Sequence, residues 1–233
     1  MGESTGALVV KPSIGPLKGM RMREPFSGLS HLSGAALSLI GLIILLTMAR
    51  GDAWRITSFA IYGASLLILY SASAVYHLVN VEPDILEWLR KSDHAGIFIL
   101  IAGTYTPVCL VPLHGAWGWS LLGVVWAIAV AGVLLEIFWR AMPDWVDLTL
   151  YLLMGWLALI AIGPIAHAVS GAALHWLIAG GVLYTVGAAV YASRRPRLWP
   201  GVFGSHDLWH LFVLGGSAAH FMMILTFSVP PAR

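Results

Sequence analysis

The stretch SHDLWHLFVLGGSAAHF, residues 205–221, decides the fold class of this chain because it is apolar enough to cross a bilayer. A membrane-spanning helix needs roughly 20 predominantly apolar residues, and the stretch continues without Lys or Arg to residue 228. Its first turns nevertheless carry His206, Asp207 and His210. Polar groups at membrane depth are costly and usually functional, so the stretch predicts a spanning helix with a site at one end.

The composition of the whole chain also indicates a membrane protein. Of its 233 residues, 59% are hydrophobic and 10% are charged, whereas soluble domains carry about 25% charged residues. A net charge of +2, with no Gly-rich phosphate loop and no basic patch interleaved with aromatics, argues against nucleic acid as a partner. The single cysteine, Cys109, excludes an internal disulfide and a cysteine metal cluster.

Seven apolar segments are predicted to span the membrane, so the chain is expected to be an all-α integral membrane protein, a seven-transmembrane helix bundle. Their predicted bounds are 31–49, 54–78, 93–112, 116–139, 146–168, 172–192 and 206–228. Residues 1–30 are predicted to form a disordered cytosolic tail, and residues 31–228 the membrane domain. Gly163 and Pro164 are predicted to kink the fifth span.

The basic residues predict the orientation of the bundle. Of the 13 Lys and Arg residues, ten fall on the side of the membrane that holds the N-terminus and three on the other side. Cytosolic loops carry an excess of Lys and Arg. The N-terminus is therefore predicted to be cytosolic, and the C-terminus, after seven spans, to lie outside.

This topology places four polar residues at one membrane level. His77 ends the second span, Asp93 opens the third, and His206 and His210 open the seventh, all at the cytosolic side. Residues four apart share a helix face, so His206 and His210 point together. Imidazole nitrogens are good ligands for Zn²⁺, and three of them leave a fourth position for water. The pattern therefore predicts a Zn²⁺ site formed by His77, His206 and His210.

Two further residues near this level are candidates for catalysis. Asp93 is placed either to bind the metal directly or to hold and deprotonate a water molecule. Ser73 lies one helical turn before His77 and is placed to donate a hydrogen bond to a substrate or to a transition-state oxyanion. We therefore assign catalytic roles to Asp93 and Ser73 as a hypothesis.

The remaining polar residues near this level are interpreted as supporting side chains. His94 points roughly 100° away from its preceding neighbour on a helix, which favours packing or support of the site. His31 either supports the site or faces the substrate. Glu136 is interpreted as the partner of Arg140, four residues later. Asp207 is expected to cap the last helix or to orient a ligand.

These motifs together resemble those of the hemolysin III proteins. They are the S-x-x-x-H of Ser73 and His77, the Asp93-His94 pair on a helix that runs on to AGTYTP at residues 102–107, and the H-x-x-x-H at residues 206–210. Hemolysin III proteins are the bacterial branch of the progestin and adipoQ receptor family, within the CREST-like superfamily. The resemblance covers about residues 24–228.

The resemblance implies a specific fold and site. It implies a seven-helix bundle, multi-pass in the bacterial inner (cell) membrane, with its N-terminus in the cytosol. It implies a zinc ion near the cytosolic face, held by three histidines, with Asp93 reaching the metal through water and Ser73 as a site residue. Bacterial members often have Asn-x-x-Thr-His at the entry to the first helix, whereas this chain reads SGLSH at residues 27–31 and so lacks the Asn.

Three functions remain open from the sequence. The first is a zinc-dependent hydrolase of a lipid amide or ester, with ceramidase-like chemistry and a role in membrane lipid homeostasis, as the resemblance implies. The second is a non-enzymatic membrane lipid sensor or receptor in which zinc is structural. The third is a haemolytic pore-former, which is disfavoured because the polar residues lie mainly at the span ends. In the first two, the expected partner is a membrane lipid, as substrate or ligand.

Overall fold

The computed structural model of the protein describes residues 22–139, 142–196, 198–199 and 202–228. Most of the predicted tail and Arg140, the predicted partner of Glu136, lie outside the described residues. The described α-helices are α1 (Pro25–Met48), α2 (Ala53–Leu78), α3 (Pro83–Leu110), α4 (Ala116–Phe138), α5 (Asp144–Trp156), α6 (Ile162–Ala168), α7 (Gly171–Ser193) and α8 (Ser205–Ser228).

The helices confirm the predicted all-α membrane fold. Within the described ranges, six helices are long and apolar enough to cross a membrane: α1 to α4, α7 and α8. A seventh crossing is formed by α5 and α6, which are joined by a 3₁₀ turn and meet at an angle of 57°. Large apolar side chains such as Ile40, Leu134 and Ile178 are exposed on the helix surfaces, as expected where lipid is the solvent. The chain is therefore a multi-pass integral membrane protein.

The bend in the fifth crossing lies about one turn before the predicted position. The 3₁₀ turn spans Leu157–Leu159, and α6 begins three residues later. Pro164 has no N–H to donate, and its ring clashes with the carbonyl of the residue four positions earlier, Ile160. The helix therefore breaks near Ile160 and not at Gly163.

A tyrosine on α3 stabilises this break. The hydroxyl of Tyr105 donates a hydrogen bond to the carbonyl of Gly155 at 2.7 Å and accepts one from the backbone N–H of Ala158 at 2.8 Å. These bonds satisfy backbone groups that the interrupted helix leaves free, as a membrane environment requires.

Two helices begin earlier than predicted. α1 begins at Pro25, so residues 25–30 of the predicted tail are helical and the expected domain boundary at residue 30 falls inside α1. α3 begins at Pro83, ten residues before Asp93. Proline is favoured in the first turn, where an N–H would be unpaired in any case. These turns extend beyond the apolar segments, so Asp93 lies about 15 Å along α3 and does not open it.

Close packing of α2 on α3 brings the second and third spans together. In the bundle α1 lies beside α2 and α8, α2 beside α3, α3 beside α4, and α7 beside α8. A Cβ atom at Gly96 would lie 3.0 Å from the Cα atom of Leu69, and one at Gly103 would clash with Ser65. Glycine at both positions lets the two helices approach closely, so polar residues of α2 and α3 reach one another.

Candidate metal centre

Three imidazoles from two helices meet at one end of the bundle. His77 lies in the last turn of α2, and His206 and His210 lie in the first turns of α8. The ring centroids are 4.6 Å apart for His77 and His210, 5.1 Å for His77 and His206, and 4.8 Å for His206 and His210. One ligand nitrogen of each ring lies within 4.8 Å of the other two. The structure therefore brings the three predicted ligands into one group.

The nitrogens of this group have the environment expected of metal ligands. Among the described residues, His77 Nε2 and His210 Nδ1 are buried and have no hydrogen-bond partner. A buried polar group without a partner costs about 1–3 kcal/mol. A cation held between the three rings would use these lone pairs, so the residues fit a divalent metal ion that prefers imidazole nitrogen.

Asp93 and Ser73 lie beside His77. The Oδ2 atom of Asp93 is 3.6 Å from His77 Nε2, which is too long for a direct hydrogen bond. The Oγ atom of Ser73 is buried and makes no hydrogen bond within the described part of the chain. Ser73 therefore has an unused hydroxyl near the three imidazoles, and Asp93 lies at ion-pair distance from His77.

Ser73 and Asp93, with His206 and His210, line a small cavity of about 50 Å³, which we call the polar cavity. Its polar lining includes His31, Ser73, Asp93, His94, Asp144, Asp147, Tyr151, Tyr191, His206 and His210. The ring of His31 stacks on that of His210, with centroids 3.9 Å apart and planes inclined by 28°. The polar cavity therefore combines imidazoles, carboxylates and hydroxyls in one space.

Glu24, the residue before α1, is hydrogen-bonded to His77 at the end of α2. His77 Nδ1 donates a hydrogen bond to the carboxylate of Glu24, and the backbone N–H of Glu24 donates to the carbonyl of His77 at 2.9 Å. The hydrogen bond from His77 lowers the pKa of the Glu24 carboxyl. Because Nδ1 is occupied, Nε2 is the nitrogen of His77 that remains for a metal. Sequence reasoning missed Glu24, since nothing local shows that the N-terminus of α1 reaches the end of α2.

Asp207 connects α1 to α8. Its Oδ1 atom accepts a hydrogen bond from Ser27 Oγ at 2.7 Å, and its Oδ2 atom accepts one from the backbone N–H of Gly204 at 2.9 Å. Asp207 was expected either to cap the last helix or to orient a ligand. Its bond to Gly204, just before α8, is a capping interaction. By fixing the first turn of α8, Asp207 also fixes the residue before it, His206.

A second group of ligating side chains lies on α3, α4 and α5. His94 Nδ1 is 3.0 Å from Glu136 Oε1 and 3.2 Å from Asp147 Oδ2. The sequence signal was a carboxylate, Glu136, inside an apolar run, but its role was interpreted as a pair with Arg140. Asp147 gave no signal of its own, because acidic residues are common in the first turn of a helix.

A larger, apolar cavity adjoins the polar cavity. Its volume is about 160 Å³, and we call it the apolar cavity. Two of its lining residues, Leu159 and Ile178, are about half exposed, at 54% and 51%. The two cavities share the lining residues Leu69, Ile97, Leu148, Tyr151, Trp209 and Val213. The two cavities are therefore adjacent, and the apolar one extends to the helix surface between the fifth crossing and α7.

The comparisons with known proteins agree on one family. The family model described as "Haemolysin-III related" matches residues 20–221. Hemolysin-3 of Bacillus cereus is 38% identical over 211 residues, covering 90% of this chain and 93% of the relative. The hemolysin-3 homolog of Bacillus subtilis (strain 168) is 41% identical over 210 residues, covering 88% and 94%. Human monocyte to macrophage differentiation factor is 25% identical over 185 residues, covering 77% and 74%.

The matched region begins before α1 and ends in the last third of α8, so it includes the imidazole group, the polar cavity and the lining of the apolar cavity except Met223. The relatives from Bacillus match over almost their whole length. The resemblance predicted from the sequence motifs is confirmed, and the chain belongs to the haemolysin-III related family of membrane proteins.

Proposed function

We propose that this protein is a zinc-dependent hydrolase that cleaves an amide or ester bond of a membrane lipid and thereby contributes to membrane lipid homeostasis. The observation that supports this function is the junction between the two cavities. There, the candidate ligands His206 and His210 and the carboxylate of Asp93 line a polar cavity that borders an apolar space whose lining reaches the surface of the helices.

In this proposal His77, His206 and His210 hold the zinc ion. Three protein ligands are typical of catalytic zinc, whereas structural sites usually have four. When bound, zinc supplies Lewis acidity, lowering the pKa of a water molecule to about 7 and polarising a carbonyl group. The hydrogen bond to Glu24 fixes the tautomer of His77, so that Nε2 keeps its lone pair for the metal.

Asp93 is the proton carrier in this mechanism. Its carboxylate lies 3.6 Å from His77 Nε2 and lines the polar cavity, so it stands beside the proposed metal ligand. Asp93 takes a proton from the attacking water while the oxygen of that water bonds to the acyl carbon. It then returns the proton to the nitrogen or oxygen of the leaving group as the acyl bond breaks, which completes the addition of water.

Ser73 stabilises the charge that develops on the substrate. Its hydroxyl lies one helical turn before His77 and has no partner among the described residues. It donates a hydrogen bond to the carbonyl oxygen as that oxygen becomes negative. Such a bond lowers the barrier only if it is stronger in the transition state than in the bound substrate.

The apolar cavity binds the acyl chain. Each buried methylene group contributes about 0.8 kcal/mol to binding, and the exposed lining at Leu159 and Ile178 allows entry from the bilayer. The carbonyl then lies where the two cavities meet, beside Trp209 and Val213. In this proposal the imidazole end faces the cytosol, in line with the excess of Lys and Arg on that side, and the protein resides in a bacterial cell membrane.

The experiment is a hydrolysis assay with purified, zinc-loaded protein in lipid. The wild type is expected to release fatty acid from a lipid amide or ester. Asp93→Asn is expected to keep its zinc and to lose about 10²–10⁴-fold in rate. The proposal is wrong if zinc-loaded protein cleaves neither class of lipid, or if Asp93→Asn is as active as the wild type.

A non-enzymatic lipid sensor with structural zinc is the second candidate. The hydrogen bonds of Glu24 to α2 and of Ser27 to α8 favour this candidate, because they already hold the two ligand-bearing helices together. A metal ion bound between α2 and α8 would fix the distance between them. This candidate predicts a fourth protein ligand. X-ray absorption spectra with three nitrogen ligands and one non-protein oxygen would exclude it.

A further inference from the structure

We propose that His94, Glu136 and Asp147 form a second divalent-cation site, separate from the three imidazoles, at the junction of α3, α4 and α5. The site takes a transition-metal ion of the Mn²⁺, Fe²⁺ or Zn²⁺ class. Its ligand atoms are one ring nitrogen and two carboxylate oxygens, each within 4.8 Å of the others.

The first argument is that three groups converge on one ring nitrogen. His94 Nδ1 lies 3.0 Å from Glu136 Oε1, 3.2 Å from Asp147 Oδ2 and 3.3 Å from an Arg90 terminal nitrogen. A ring nitrogen carries either one hydrogen or one lone pair. It cannot donate to two carboxylates and accept from a guanidinium at the same time. A cation bound by Nδ1 and both oxygens satisfies the three ligands together.

The distances are those of ligands on a shared metal. Two ligands at right angles on a metal, each with a bond of about 2.1 Å, are separated by about 3.0 Å. The nitrogen-to-oxygen distances from His94 to Glu136 and Asp147, 3.0 Å and 3.2 Å, agree with that separation. These two separations therefore allow one metal ion to be bound by His94 and by either carboxylate.

The second argument is the burial of unpaired carboxylate oxygens. Glu136 is 0% exposed and Asp147 is 2% exposed. In the described parts of the chain, Glu136 Oε2 and Asp147 Oδ1 have no hydrogen-bond partner. Buried carboxylates are rare unless they are paired or bind a metal. Both side chains therefore have an unused oxygen in addition to the one that faces His94.

The neighbouring basic side chains that the structure describes are engaged elsewhere. Arg90 donates two hydrogen bonds to Glu87, at 2.9 Å and 3.0 Å. Lys91 donates to the carbonyl of Ile137 at 3.0 Å. Among the described Lys and Arg side chains, the hydrogen bond to this group is the 3.3 Å contact of Arg90 with His94, which a bound cation would replace.

The ligand set determines the class of ion. Mg²⁺ and Ca²⁺ prefer sites made of oxygen alone, whereas an imidazole favours transition-metal ions. Two carboxylates and one imidazole therefore suit Mn²⁺, Fe²⁺ or Zn²⁺. His94 and Asp147 also line the polar cavity, so the second ion would border the same space as Asp93.

The test is a Mn²⁺ titration of the full-length purified protein, followed by electron paramagnetic resonance and by elemental analysis. The variant His206→Ala/His210→Ala removes two of the three imidazole ligands and is expected to retain one bound equivalent of Mn²⁺. When Glu136→Gln and Asp147→Asn are added to this variant, it is expected to bind no Mn²⁺. Asp144→Asn is the matched control, because Asp144 lies on the same helix and lines the same cavity but is not part of the group.

Two results would overturn the second site. One is a Glu136→Gln/Asp147→Asn variant that binds as many equivalents as the wild type. The other is a wild type that binds one equivalent and loses it completely in His206→Ala/His210→Ala; this result does not depend on whether the carboxylate variants fold. Because neither readout uses hydrolysis, failure of the proposed activity leaves the second site standing, and failure of the second site leaves the activity standing.

Discussion

The carboxylate of Glu24 accepts a hydrogen bond from His77 Nδ1, although the two residues are 53 positions apart in the chain. This bond places the residue before α1 in direct contact with a candidate metal ligand on α2. The backbone N–H of Glu24 adds a second bond to the same residue. The imidazole of His77 is thereby held in one orientation and one tautomer.

We expect Glu24→Ala to lower zinc affinity by about 10–100-fold, because outer partners of metal-bound histidines have effects of this size. Glu24→Gln keeps an acceptor for His77 Nδ1, so its zinc affinity is expected to fall less. Competition with a zinc-binding dye measures the affinity of both variants. Glu82→Ala is the control, since Glu82 is exposed and makes no side-chain bond at its helix start. Equal affinity in Glu24→Ala and Glu82→Ala would show that Glu24 does not position the ligand.

His210→Ala is expected to abolish zinc binding by the group that His210 forms with His77 and His206. Two imidazoles bind zinc far more weakly than three, so elemental analysis should show the loss of one equivalent. Zinc should then no longer raise the melting temperature, because a ligand that no longer binds cannot stabilise the fold. His175→Ala, an exposed histidine on α7 outside both ligand groups, serves as the control. Retention of zinc in His210→Ala would remove this residue from the ligand set.

Filling the apolar cavity is expected to reduce lipid turnover without loss of zinc. Gly181 lines the cavity, and a Cβ atom there would meet nothing within 4 Å. Gly181→Phe is therefore expected to occupy the space of the acyl chain and to lower kcat/KM by about 10-fold or more. Gly123→Phe is the control, since Gly123 is equally open but lies outside the cavity lining.

The amount of lipid that copurifies gives a second readout for Gly181→Phe, measured by mass spectrometry. If Gly181→Phe and Gly123→Phe retain the same lipid and the same rate, the cavity does not hold the substrate.

A larger side chain at the α2–α3 contact is expected to destabilise the bundle. A Cβ atom at Gly96 would lie 3.0 Å from the backbone of Leu69, so Gly96→Val forces the two helices apart. Overpacking of this kind costs about 1–3 kcal/mol, which thermal unfolding in detergent would detect. Gly123→Val, with open space around it, is expected to leave stability nearly unchanged. Equal melting temperatures for the two variants would contradict the close packing of α2 on α3.

The class of the protein could be predicted from the sequence because the relevant signals are local. Hydropathy over about 20 residues predicts each spanning helix without knowledge of its neighbours. The spacing of His206 and His210 predicts a shared helix face in the same way. The motifs at Ser73, Asp93 and the last helix were sufficient for the family, which the comparisons confirm.

Other features were decided only by the tertiary structure. Three features depend on how separate helices pack: the contact of Glu24 with His77, the contacts of His94 with Glu136 and Asp147, and the shared lining of the two cavities. The early starts of α1 and α3 were also missed, because their first turns lie outside the apolar stretches that hydropathy detects.

The physical reason is the range of the interactions. Apolar length and residue spacing act within one helix, so they can be read along the chain. Which polar side chain satisfies another across the bundle is set by helix contacts such as that of Gly96 with Leu69, and a contact between distant parts of the chain leaves no local pattern in the sequence.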